Sequence, residues 1–103
     1  MSKLKIVWTK HAHLQRRSLL AARADFAGMD SALKADAQII KLLTLAAVQP
    51  DMGKPGLVKG TRELYPLRYR LVYRISQEEK KLYVVALLSQ WQLWPFEADH
   101  FDA

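Results

Sequence analysis

Six basic side chains lie in one short stretch of this 103-residue chain. They are Lys54, Lys59, Arg62, Arg68, Arg70 and Arg74. Glu63 is the only acid between positions 54 and 74, so the stretch carries five of the six net positive charges of the chain. Such a concentration of cations favours polyanionic or acidic partners, and a surface built from it would hold nucleic acid through the phosphates.

Aromatic and histidine side chains outside that stretch are the other candidates for chemistry. Trp91 could stack on a base, an interaction that contributes roughly 1–3 kcal/mol per base, or it could pack against the end of a sheet. His100 lies in an acidic tail and is either a functional group or an ordinary terminal residue. His11 and His13 are two positions apart at the start of a predicted helix, where we expect surface residues.

The composition excludes several classes of site. The chain has no cysteine, so it contains neither disulfides nor thiolate metal sites, and its three histidines are scattered. There is no glycine-rich phosphate loop, no metal-ligand spacing and no nucleophile beside a plausible base. We therefore expect no metal, no cofactor and no small-molecule substrate.

The length and composition predict one domain spanning residues 1–103. Half of the residues are hydrophobic and a quarter are charged, which is typical of a folded chain. No apolar run approaches the ~20 residues of a membrane span, and the N-terminus has no signal-peptide core. We expect a soluble, cytoplasmic protein without membrane contact.

The hydrophobic spacing predicts two helices joined as a hairpin around Gly28. The first is expected over residues 10–26 with Thr9 as its N-cap, and the second over residues 32–48. One face of the first helix is expected to consist of Ala12, Leu19, Ala22 and Phe26. In the second helix, we expect only a narrow exposed stripe of Lys34, Gln38 and Lys41, with the remainder covered.

The rest of the chain predicts strands. Residues 3–8 alternate as a half-buried strand, and the breaker-rich residues 49–60 are expected to form a loop. Strands follow over residues 62–65, 68–75 and 82–88, the last being apolar enough to lie in the centre of the sheet. In the middle strand, Tyr69, Leu71, Tyr73 and Ile75 should face the core. The fold class is α+β, with the order β-α-α-β-β-β and the helical hairpin on one face of a three-stranded antiparallel meander.

Two stretches of the chain resemble the RelE/ParE superfamily of toxins from type II toxin–antitoxin systems. The first, from Gly60 to Ile75, reads Gly-Thr-Arg-Glu-Leu-Tyr-Pro-Leu-Arg-Tyr-Arg-Leu-Val-Tyr-Arg-Ile. The second, from Val84 to Pro95, reads Val-Val-Ala-Leu-Leu-Ser-Gln-Trp-Gln-Leu-Trp-Pro. The resemblance implies a growth inhibitor held silent by a cognate antitoxin, which we expect to be an acidic, partly disordered protein encoded by a neighbouring reading frame.

The same resemblance implies one of two activities. RelE-like toxins cut mRNA at the ribosome with Lys and Arg side chains on the concave sheet face and an aromatic or histidine near the C-terminus, whereas ParE-like toxins poison DNA gyrase. By position, Lys54, Lys59, Arg62 and Arg70 match the basic part of the RelE-like set, with Arg68 and Arg74 on the side of Arg70. His100 occupies the tail where some RNase members carry catalytic residues, and Trp91 could stack on a base.

The chain departs from the RelE-like pattern after its last strand. The arginine that would hold the scissile phosphate should fall within residues 90–92, which read Gln-Trp-Gln. This departure favours slightly the ParE-like activity, gyrase poisoning. The alternatives are a ribosome-dependent mRNA endonuclease, a nucleic-acid-binding module without toxicity, and a member of the fold that has lost toxicity but still binds its antitoxin.

Overall fold

The computed structural model describes residues 3–92, which form two helices and five strands. The elements are β1 (Lys5–Trp8), α1 (Lys10–Ala27), α2 (Met29–Val48), a 3-10 turn (Pro50–Met52), β2 (Lys54–Pro55), β3 (Thr61–Leu64), β4 (Tyr69–Ser76) and β5 (Lys81–Ser89). The α+β class and the predicted order of strand, helical hairpin and meander are confirmed. His100 lies outside the described residues.

Thr9 and Gly28 fix the limits of the helical hairpin. Thr9 has an extended backbone, and its hydroxyl accepts a hydrogen bond from Ala12 N at 3.2 Å, so it is the predicted cap of α1. Gly28 has φ 94° and ψ 159°, a conformation available at low cost only to glycine. It is the single residue between the two helices. The hairpin is therefore tighter than predicted, with the second helix beginning at Met29 instead of residue 32.

The sheet is mixed, in the order β1-β5-β4-β3-β2. Strands β3, β4 and β5 form the predicted antiparallel meander, while β1 pairs in parallel with β5. Thr9 lies between β1 and α1 and ties this junction to β5. Its N–H and its hydroxyl both donate to Val84 O, at 3.1 and 3.0 Å.

The prediction that residues 49–60 are only loop is wrong in part. Pro50–Met52 form a 3-10 turn, and Lys54–Pro55 form the edge strand β2, which pairs antiparallel with Arg62 and Glu63 of β3. A strand of two residues is too short to show the alternation by which strands are recognised. Pro55 is tolerated at this sheet edge because the N–H that proline lacks would face away from the paired strand. The short strand depends on its partner and therefore left no periodic signal.

The core lies on both faces of the sheet. Between the sheet and the helices, the largest fully buried side chains are Tyr73, Ile39, Leu43, Leu71, Leu82 and Leu87. On the opposite face, a second cluster contains Val72, Tyr83, Val85, Ala86 and Leu88. Residues 82–88 are all buried and β5 lies between β1 and β4, which confirms that it is an interior strand of the sheet.

The helical hairpin is less covered than predicted. Ala22 is exposed and Phe26 is 92 % exposed, so the expected buried face of α1 is wrong at its C-terminal end. On α2, the predicted stripe of Lys34, Gln38 and Lys41 is exposed and Ile39 and Leu43 are buried. However, Met29 and Leu33 are 64 % and 61 % exposed, so the apolar remainder of that helix is covered only in part. In the part of the chain that the structure describes, neither helix has the length and hydropathy needed to cross a membrane.

Candidate target-binding surface

The basic residues of positions 54–74 lie on both faces of the sheet. Arg62 of β3 is paired with Tyr73 of β4, which belongs to the core on the helix side. Its guanidinium donates to Gly53 O at 2.7 Å and lies 3.4 Å from an Asp51 carboxylate oxygen. Paired residues on neighbouring strands share a face, so Arg62 faces the helix side.

Arg70 and Arg74 flank Val72 on β4 and therefore face the side opposite the helices, as predicted. Lys54 of β2 is on this face too, because it is paired with Glu63 and Glu63 is paired with Val72. Arg62 is separated from these three cations by the sheet.

Four side chains on the face opposite the helices form the Glu63 cluster: Lys54, Glu63, Tyr65 and Arg70. Glu63 is only 4 % exposed, and its carboxylate accepts a very short hydrogen bond from the Tyr65 hydroxyl. Arg70 Nε lies 3.8 Å from Glu63 Oε1, and the Lys54 ammonium lies 4.8 Å from the centroid of the Tyr65 ring. The cluster thus combines two cations, one buried anion and one phenol.

The buried carboxylate also holds the loop between β2 and β3. Leu57 N donates to Glu63 Oε2 at 3.4 Å. Burying an unpaired carboxylate is costly, so Glu63 depends on these donors and on Arg70 for its stability. Arg70 Nε is buried and has no hydrogen-bond partner among the described residues, so the electrostatic attraction to Glu63 is what compensates its burial.

Lys54 is held in its charged form by its contact with Tyr65. Interaction with the Tyr65 hydroxyl, by hydrogen bond and charge, raises the pKa of Lys54, which therefore remains a cation. One of the two cationic charges is balanced by Glu63, so the cluster presents a net charge of about one positive unit instead of an open pair of cations.

Arg74 belongs to a separate group at the β4–β5 turn. Its guanidinium lies 4.2 Å from the centroid of the Tyr83 ring, and the Tyr83 hydroxyl donates to Glu79 at 2.6 Å. This hydrogen bond lowers the pKa of Glu79 and raises the pKa of Tyr83. Lys81 Nζ lies 3.8 Å from the same carboxylate, so Arg74 contacts a tyrosine whose hydroxyl is bonded to an already paired acid.

The remaining sequence-predicted residues are exposed at opposite ends of the sheet. Lys59 precedes Gly60, whose φ of 88° turns the chain into β3. Arg68 and Trp91 are brought close in the fold, because Arg68 O accepts a hydrogen bond from Gln90 N at 2.7 Å. Trp91 is 74 % exposed, so within the described residues it is not a packing tryptophan.

Two members of the Glu63 cluster were missed as site residues. The sequence pattern marked Glu63 only as the single acid of a basic segment, and Tyr65 only as the last residue of a predicted strand. Their two-residue spacing puts them on the same side of an extended chain, which was the available signal. Among residues 3–92, no group of three or more acidic, histidine or cysteine side chains could hold a metal ion.

The fold and this surface define a small α+β protein with charged residues distributed over two sheet faces. Residues 6–94 match the family model described as ParE toxin of type II toxin–antitoxin system, parDE. The chain is also 34 % identical over 93 residues to the Sinorhizobium fredii protein named "Putative toxin Y4kP", covering 88 % of this chain and 96 % of that protein. The chain belongs to the ParE toxin family.

Two solved toxin–antitoxin systems share the fold. The chromosomal ParDE system from P. aeruginosa superimposes with a TM-score of 0.73 at 19 % identity, over 84 % of this chain and 96 % of that one. The RelBE2 complex from Mycobacterium tuberculosis superimposes with a TM-score of 0.53 at 22 % identity, over 85 % and 99 %. Family membership makes this chain a toxin of a type II toxin–antitoxin system.

Proposed function

We propose that this toxin arrests growth by binding DNA gyrase and not by cutting RNA. The observation that supports this most is that the candidate cations do not converge on one point. Arg62 faces the helix side and is engaged by Gly53 and Asp51, whereas Arg70 faces the other side beside Glu63. Stabilising a pentavalent phosphate needs several donors directed at one position, while binding a protein partner does not.

A second observation supports the same proposal. Within the described residues that follow β5, Gln90, Trp91 and Gln92 supply no cation, and Trp91 is largely exposed. An exposed tryptophan is well suited to a protein interface, because it buries a large apolar area at a small entropic cost. Arg68 lies beside this segment and could extend the same contact surface.

The alternative, a ribosome-dependent mRNA endonuclease, is favoured by the Glu63 cluster. Lys54 and Arg70 supply positive charge, and Glu63 with Tyr65 supplies groups that exchange protons. However, Glu63 is buried and already bonded to Tyr65, so a substrate hydroxyl would have to displace the phenol to reach it.

We also propose that an antitoxin silences this toxin in the cytoplasm by covering its exposed apolar hairpin. Phe26, Met29 and Leu33 are more than half exposed near the tip of the hairpin, and the chain carries a net charge of +6. Exposed apolar side chains suit a segment that folds on binding, and the positive net charge of the whole chain favours an acidic one. Both solved systems with this fold are toxin–antitoxin systems, which agrees with such a partner.

The deciding experiment induces the chain in cells without its partner. Growth, plasmid supercoiling and the 5′ ends of cellular mRNA are then followed over the first minutes. We expect growth arrest and altered supercoiling without new 5′ ends inside coding regions, and inhibition of purified gyrase by the purified chain. New ends inside coding regions would overturn the gyrase proposal in favour of the endonuclease. Harmless expression would remove both activities.

The partner is tested separately by co-expression with the product of the short neighbouring reading frame. We expect a complex that survives purification and restores growth. If that product neither binds the chain nor restores growth, the proposed antitoxin is wrong, whatever the target of the toxin.

A further inference from the structure

About half of β5 has no neighbouring strand on one edge within the described residues. β1 pairs with residues 81–84 of β5 and ends there, because Trp8 is paired with Val84 and the chain then enters α1. Residues 85–89 continue as a strand and pair with β4 on their other side. Within residues 3–92, no strand pairs with them on the side of β1.

A bulge marks the point where this edge begins. Val72 is paired with Ala86 and Tyr73 with Val84, so Val85 is the extra residue of β5. A bulge re-aims the strand and changes which residues direct their N–H groups to a given edge. Beyond it, Gln90 N bonds back to Arg68 O on the β4 side, so Leu87 and Ser89 direct their N–H groups away from β4.

Two glutamine side chains occupy the positions at which a strand beside residues 85–89 would accept hydrogen bonds. Leu87 N donates to Gln15 Oε1 at 2.9 Å, and Ser89 N donates to Gln92 Oε1 at 2.8 Å. A side-chain amide oxygen has the same acceptor chemistry as a backbone carbonyl. The two amides therefore satisfy the N–H groups that an added strand would bond, and each can rotate away at the cost of one hydrogen bond.

A groove of about 230 Å³ runs beside this edge. One wall is α1, which contributes His11, Leu14, Ser18 and Leu19, and Leu87 of β5 lies on the other side. The spacing of three and four residues puts these α1 side chains along one face of the helix. The groove thus offers backbone donors on the strand side and both apolar and polar side chains on the helix side.

We propose that this groove receives an extended, acidic segment of the antitoxin, which pairs with residues 85–89 as an added strand. This inference rests on the antitoxin of the proposed function and names where and how part of it binds. Addition of a strand to an exposed sheet edge is an established mode of peptide recognition, in which backbone bonds supply affinity and alternate side chains supply specificity. The incoming carbonyls replace the amides of Gln15 and Gln92.

Charge identifies the partner as acidic and argues against a second copy of this chain. On α1, Lys10 and Arg17 are exposed cations, whereas Arg16 is already paired with Asp36 of α2. A second copy would bring another net charge of +6 to this wall, whereas an acidic segment is attracted to it. Leu14, which is 49 % exposed, would pack against an apolar side chain of the same segment.

Amide hydrogen exchange tests the added strand directly. The exchange rates of the Leu87 and Ser89 amides are measured in the free toxin and in its complex with the neighbouring-frame antitoxin. We expect at least tenfold slower exchange of both amides in the complex, since backbone ladders protect better than side-chain bonds at an edge. A stable complex with unchanged exchange at both positions would overturn this inference and leave the proposed antitoxin intact.

The variant Gln15→Ala tests whether the antitoxin displaces the Gln15 amide from Leu87 N or leaves that hydrogen bond in place. It removes a hydrogen bond from the free toxin but not from the complex, so we expect the antitoxin to bind about 2- to 10-fold more tightly. Gln38→Ala, at an exposed glutamine of α2, is the matched control and should leave the dissociation constant unchanged. Equal or weaker binding of Gln15→Ala would refute the displacement.

The charge of the occupant is tested at Leu14. Leu14→Glu and Leu14→Lys lose the same apolar contact but differ in the sign of the added charge. We expect Leu14→Glu to weaken antitoxin binding at least fivefold more than Leu14→Lys does, because like charges repel across the groove. Equal affinities would refute an acidic occupant, and concentration-dependent dimerisation of the free chain with protection at Leu87 would assign the groove to a second copy.

Discussion

At the scale of single residues, Glu63 links the loop, the tyrosine and the arginine of its cluster. In the variant Glu63→Gln, an amide of similar shape keeps contact with Tyr65 and Leu57 but removes the charge beside Arg70 Nε, which has no hydrogen-bond partner among residues 3–92. We expect the free energy of unfolding to fall by about 1–3 kcal/mol, measured by urea denaturation.

The variant Tyr65→Phe is the control for this prediction. It removes one donor to the carboxylate but keeps the charge of Glu63 beside Arg70. Because Tyr65 is partly exposed, we expect a smaller loss of about 1 kcal/mol. Equal losses in the two variants would mean that hydrogen bonding, and not the ionic attraction, holds the cluster together.

The hydrogen bond between Tyr83 and Glu79 predicts a pH dependence. It lowers the pKa of Glu79 in the folded chain, so the contact stabilises the fold above the unfolded pKa, and this stabilisation is lost as the pH falls through the folded pKa. In Tyr83→Phe, we expect the pKa of Glu79 to rise toward its ordinary value in a titration followed by NMR. An unchanged pKa would assign the shift to the nearby Lys81 instead.

At the scale of elements, two leucine substitutions test which faces are covered. Leu71 of β4 is fully buried, so Leu71→Asp puts an unpaired charge into the core at a cost of several kcal/mol, comparable with the whole stability of a small domain. We expect no cooperative unfolding transition by circular dichroism. Leu33→Asp, on the exposed side of α2, should stay within about 0.5 kcal/mol of the parent chain yet weaken antitoxin binding. A folded Leu71→Asp variant would reverse the assignment of the two faces.

The elements also show which features the sequence could predict. The alternation of β4 identified Tyr69, Leu71 and Tyr73 as core. Successive side chains of a strand point to opposite faces of the sheet, so this pattern is visible in the local sequence alone. The exposure of Phe26 was not predictable in this way, since helical spacing identifies an apolar face but not how far the sheet beneath it extends. β2 was missed because its two residues become a strand only by pairing with β3.

At the scale of the whole molecule, the register between strands decided the candidate site. The basic residues of positions 54–74 were visible in the sequence, but their division between two faces depends on how β3 aligns with β4. The observed pairing of Arg62 with Tyr73 and of Glu63 with Val72 turns Arg62 to the helix side and Glu63 toward Arg70. A shift by one residue would exchange these faces, and neither composition nor spacing fixes that shift.

The net charge of the molecule predicts how its antitoxin is captured. With +6 on 103 residues, long-range attraction should raise the association rate with an acidic partner, whereas the dissociation rate depends on close contacts. We expect stopped-flow association to slow at least tenfold between roughly 50 and 500 mM salt, as screening shortens the reach of the charges. Leu33→Ala, which removes an apolar contact without changing the charge, should mainly speed dissociation. If salt changed only the dissociation rate, the positive charge would stabilise the bound complex without speeding association. The attraction between α1 and an acidic segment would then not explain how the antitoxin is captured.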